Sequence, residues 1–129
     1  EQSDAMIDDA LESDDPLRAL WDYFADASRT AISIEFIALA NHRKAIRAEM
    51  AAHSERMRAR QVEALTRLLG KDFAWPGGCP PAGLTVVLAG IGRALIMEGG
   101  LGVTTGHAEA RAVAERWVET LARDACPAD

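Results

Sequence analysis

An all-α fold, a bundle of about six helices, is what this sequence predicts, on three observations. Sustained alternation of apolar and polar residues is missing and Val and Ile are dispersed, so strand signals are almost absent. Ala, Leu, Arg and Glu dominate, and these are strong helix formers. Apolar residues recur at three-and-four spacing along most of the chain, which places them on one face of a helix. At 129 residues, 49% of them hydrophobic and 26% charged, the chain is large and apolar enough to enclose a core without disulfide or metal staples. Residues 1–129 are therefore expected to form a single domain.

The first fifteen residues carry seven acids (Glu1, Asp4, Asp8, Asp9, Glu12, Asp14, Asp15) and no base, with a thin apolar stripe of Ala5, Met6, Ile7, Ala10 and Leu11. A chain that begins at Glu1 without a methionine and runs directly into such sequence is expected to be a piece of a longer protein, with 1–13 the end of a cut helix. At Asp15-Pro16 the start signal is sharper, because Asp caps a helix and Pro suits its first turn, where the missing N–H costs nothing. That helix carries Leu17, Leu20, Trp21, Phe24 and Ala27 and is expected to end near 28–30. A second, over about 31–41, is expected to pack Ile34, Ile37 and Ala38, with Phe36 and Leu39 to the sides.

The longest helix runs over 43–69, with Ile46, Met50, His53, Met57 and Leu68 in one arc and Val62, Leu65 and Leu69 in a second. Its outer face is basic, with seven bases from Arg43 to Arg67 against three acids, Glu49, Glu55 and Glu63. Acids at helical ion-pair spacing, as with Glu63 and Arg67, mark this as a solvated face. Gly70 is placed to terminate the helix. The turn-rich stretch 70–83 reads as a loop that tucks Phe73 and Trp75 against the body.

Residues 84–99 form a helix apolar all round: Leu84, Leu88, Ile91 and Leu95 on one face, Val86, Ala89, Ile96 and Met97 on the other. Such a helix must be covered on both sides. Gly90 and Gly92 permit close backbone approach there. GGLG at 99–102 reads as a helix-ending turn, and the last helix opens near 105–106, with Ala110, Val113, Ala114, Trp117, Leu121 and Ala125 opposite Glu115, Arg116, Glu119 and Arg123. Two consecutive helices with this much apolar surface predict a homodimer, the alternative being a core helix of a monomer.

The formal net charge is −6 and the pI about 5.0, so the chain is not expected to hold DNA by itself. Cys79 and Cys126 have neither CxxC spacing nor a Cys/His cluster, and read as reduced thiols. No run of about 18 apolar residues and no basic, apolar leader are evident, which predicts a cytoplasmic protein without membrane contact. No nucleophile triad, GxGxxG or phosphate-binding loop is present, so neither an enzyme nor a cofactor is implied.

The succession DPLRALWDYF, TAISIEFIALANHRKAIRAEM, a long basic-faced helix, a Gly/Pro loop and LTVVLAGIGRALIMEGGLGVTTGHAEARAVAERWVETLA resembles the regulatory domain of TetR-family bacterial transcriptional regulators, over essentially the whole chain. The resemblance implies a last pair of helices, 84–99 and 106–124, that joins a second subunit in a four-helix bundle. Interface residues would be Leu84, Leu88, Ile91, Leu95, Val113, Trp117 and Leu121. It also implies that residues 16–69 surround a ligand pocket. DNA would be contacted only by a helix-turn-helix domain preceding residue 1.

Trp21, Phe24, Phe36, Met50, Met57 and Leu95 are candidates to line that pocket around a small hydrophobic effector, with His53 and Gln61 as orienting polar groups. The same residues also suit a filled core, which would make the chain a ligand-free dimerisation module. Glu35, His42, Glu49 and His53 would share a face if one helix carried them all. A metal-dependent bundle enzyme is therefore a further alternative, although a helix break near Asn41 and His42 opposes it.

Overall fold

The computed structural model describes residues 2–70 and 80–124, including all their side chains except those of 2 and 27–30. Six helices make up the described residues, which contain no strand: α1 (Gln2–Glu12), α2 (Pro16–Phe24), α3 (Ala27–Ala40), α4 (Lys44–Leu69), α5 (Pro81–Gly100) and α6 (His107–Asp124). The all-α class and the number of helices follow the expectation from sequence. Phe73, Trp75, Cys79 and Cys126 lie outside the described residues.

Local chemistry sets most boundaries. Asp15 caps α2, its side chain accepting a hydrogen bond from the Arg18 N–H, and Pro16 occupies the first turn. Gly70 ends α4 at a φ of 87° that disfavours other residues, its N–H donating to the Thr66 carbonyl. Three boundaries differ from the expectation by three residues or more: α3 begins at Ala27 rather than about 31, and the other two have a local cause. α2 stops at Phe24 rather than near 28–30, because the chain turns at Ala25 and Asp26, whose N–H groups bond back to Trp21 and Tyr23. α5 begins at Pro81, since a proline at the first helical position extends the helix into a stretch read as loop.

One core joins α1, α2, the second half of α4, α5 and α6. Ile7, Leu20, Trp21, Phe24, Leu65, Leu69 and Leu121 are essentially inaccessible, with Ala64, Leu84, Leu88, Ala114 and Val118 packed among them. Each large side chain so buried contributes about 1.5–3 kcal/mol before chain entropy is counted. Among the described residues the Trp21 indole N–H has no hydrogen-bond partner. Gln61, one of two buried polar residues among those described, donates from Nε2 to the Tyr23 hydroxyl at 3.4 Å. Thr85, the other, donates to the Ala82 carbonyl at 2.7 Å.

Gly92 fixes how α5 meets α2. A Cβ there would sit 2.3 Å from the Phe24 carbonyl oxygen, so only glycine lets the two backbones approach this closely. Nothing lies within 4 Å of the equivalent position at Gly90, so the close-approach role expected of both glycines falls to Gly92 alone within the subunit.

Charge complements shape at the edges. The acids of α1 and the bases of α4 meet at Arg60, which pairs with Asp4 at 3.9 Å, with Asp8, and with Glu63 of its own helix at 3.7 Å. Arg18 bridges α2 to α6 through Glu115 at 3.4 Å. The face of α4 expected to be only solvated therefore also fastens the N-terminal helix.

α3 departs most from expectation. Ile34 is half-buried and Ala40 buried, but Ile32, Phe36, Ile37 and Leu39 are exposed, and so is Ala38. The first half of α4, on which α3 lies, offers few apolar partners besides Ile46, Met50 and Met57, so most of the α3 surface stays uncovered.

Candidate functional site

Where α3 leans over α4 and α5, a cavity of about 110 Å³ remains, open on one side. Ser3 of α1, Phe24 of α2, Ser33 and Ile37 of α3, Ala89 and Arg93 of α5 line it. α4 supplies Met50, His53, Ser54, Met57, Arg58 and Gln61. The α4 residues recur at three-and-four spacing, so one helix face presents them all. Phe24, Ile37, Met50, Met57 and Ala89 supply the apolar part of the lining, and hydroxyl, imidazole, amide and guanidinium groups the rest.

Phe24, Met50, His53, Met57 and Gln61 thus come together at one cavity, while three other pocket candidates lie elsewhere. Trp21 and Leu95 are sealed in the core beyond it. Phe36 is about half exposed, beside a shallow groove with Ala45, Ile46, Glu49 and Met50. Sequence reasoning missed Ser54 and Arg58, although both continue the arc of Met50, His53, Met57 and Gln61. Arg93 and Glu98 are the two charges on α5, but nothing on that helix alone connects Arg93 to a pocket. Ser3, Ser33, Ile37 and Ala89 carry no signal that single-sequence reading could have used.

The second feature is the outer face of α5. Leu84, Leu88 and Leu95, expected at a dimer interface, are buried within the subunit, as is Leu121 of α6. The core takes this face because Gly92 and Thr85 lie beside it and let α5 seat against α2. Ile91 and Val113 are half-buried and Trp117 is 36% exposed. Facing outward instead are Val86, Val87, Gly90, Ala94, Met97 and Leu101, of which Val86 is 51% and Leu101 81% exposed. On α6, burial centres on Ala114, Val118 and Leu121, so Trp117 falls at the flank of that buried stripe.

By length and composition α5 meets the requirement for crossing a membrane, contrary to the expectation that no segment would. Starting at Pro81 and counting its glycines lengthens the apolar run, and its inner face is occupied by the bundle core.

Glu35, His42, Glu49 and His53 do not converge. The chain leaves the helix over 41–43 and all four side chains are exposed. Among the described residues no group of three or more His, Cys, Asp or Glu is arranged to hold a metal ion. No family model, curated protein or solved structure matches the chain.

Proposed function

We propose that this chain is the regulatory domain of a TetR-like, cytoplasmic transcriptional regulator, binding a small effector with an apolar body and forming a homodimer. The observation that carries the reading is the cavity at the meeting of α1, α3, α4 and α5. Because Ser3 lines it and Arg60 ties Asp4 and Asp8 to α4, an occupant touches the helix that would lead to a preceding DNA-binding domain. With a net charge of −6, this domain leaves DNA contact to that other domain. An effector would release DNA only by the difference between its affinities for two arrangements of α1, not by tight binding alone.

The proposed dimer uses the outer face of α5 with the Trp117 flank of α6, in place of the leucines that the core consumes. That uncovered face also favours a second reading, a dimerisation module whose cavity holds no physiological ligand. Thermal unfolding against a panel of lipophilic compounds, with mass in solution measured under the same conditions, separates the two. A compound at about 100 times its Kd adds about 2.7 kcal/mol, a shift of several degrees for a domain of this size. A shift in a dimer supports the sensor; a dimer that no compound shifts supports the module. A monomer that no compound shifts removes both.

A further inference from the structure

From the charge at the cavity we infer, resting on the reading of it as an effector site, that the ligand is an anionic amphiphile. Its acid head is held by Arg58 and Arg93, and its short apolar body lies against Phe24, Met50 and Met57.

Arg58 and Arg60 are two residues apart on α4 and differ completely in their partners. Arg60 takes Asp4, Asp8 and Glu63, whereas Arg58, half-buried beside the cavity, makes no ion pair among the described residues. Arg93 enters the same cavity from α5 and is likewise unpaired among them. Among the described residues no carboxylate lines the cavity, in a chain with 20 acids and 14 bases. The local charge therefore runs against that of the whole molecule.

A guanidinium presents a planar fork of N–H donors matched to carboxylate, phosphate or sulfate oxygens. Ser54 adds a hydroxyl from the next turn of α4. A neutral lipophile would cover both cations without compensating their lost hydration, and a cationic one would also meet their repulsion. An acid head answers the two arginines, and the apolar part of the lining accepts the body.

The test titrates the whole chain calorimetrically with octanoate, octan-1-ol and octyltrimethylammonium, three probes with the same tail and different heads. Octanoate should bind at least about tenfold more tightly than the alcohol, with the cation weakest, because hydrogen bonds to charged groups exceed neutral ones by about that factor. Added salt should weaken octanoate and leave octanol unchanged. Arg58→Met and Arg93→Met should each remove most of the preference, octanoate binding more weakly while octanol, relieved of an uncompensated cation, binds at least as tightly as before. Octanol binding as well as octanoate, or arginine variants that keep the preference, would overturn the acid-head assignment while the effector site survives. Binding by none of the three would overturn the effector site as well.

Discussion

Two parts of this bundle both carry large apolar side chains and use them differently. In the first part, α1, α2, α6, the second half of α4 and the inner face of α5 close around Trp21, Phe24, Leu65 and Leu121. In the second, α3 and the first half of α4 leave Ile32, Phe36, Ile37 and Leu39 in contact with solvent. The difference lies in the neighbours. The closed part sets leucine against leucine and glycine against backbone, while α3 meets a stretch of α4 rich in Ala, Arg and Glu. Apolar residues stabilise only where another element supplies surface to bury, so the open part should have low local stability. The cavity lies on the seam between the two, where an occupant can supply the surface that α3 lacks.

The largest expected effect separates the two parts directly. Trp21→Ala should cost about 3–5 kcal/mol, as emptying a close-packed site does, whereas Phe36→Ala should stay within about 0.5 kcal/mol. Urea unfolding of both variants measures this, and equal losses would erase the distinction. Next come the glycines on opposite faces of α5. Gly92→Ala forces α5 away from the Phe24 carbonyl and should cost about 1–3 kcal/mol. Gly90→Ala meets nothing within the subunit and should be neutral or gain up to about 1 kcal/mol from helix propensity. A loss at Gly90, together with a fall in mass in solution, would instead show a second subunit packed on the outer face.

A smaller effect attaches to the charged fastening of α1. Arg60→Met should lower stability by about 1 kcal/mol or less, because its acidic partners are about half exposed. The difference from wild type should shrink in high salt. The smallest concerns the cavity itself. Arg58→Met should leave the unfolding midpoint within about 0.5 kcal/mol of wild type, since its guanidinium has no ion pair among the described residues to lose.

Helix positions were legible in the sequence because caps and periodicity are local: Asp15-Pro16 and Gly70 act where the chain says they should. The partner of each face was not legible. Leu84, Leu88 and Leu95 look like an interface to any reader of one helix, and only the approach of Gly92 to Phe24 shows that the subunit's own core takes them. The acids of α1 and the bases of α4 were each visible, but their meeting at Arg60 depends on how two helices more than fifty residues apart are laid together. Phe24 and the arc of Met50, His53, Met57 and Gln61 were legible, and Ser54 and Arg58 continue that arc. Ser3, Ser33, Ile37, Ala89 and Arg93 come from α1, α3 and α5 and could not be read from any single helix.

Amide hydrogen exchange, on the chain alone and saturated with octanoate, tests the division of the molecule most directly. In the free protein, residues 31–57 should exchange much faster than 61–69 and 114–121, and the ligand should slow 31–57 by a larger factor than any other segment. Residues 31–57 as protected as the core without ligand, or protection spread evenly over the chain on binding, would contradict an open half that closes on an occupant of the seam.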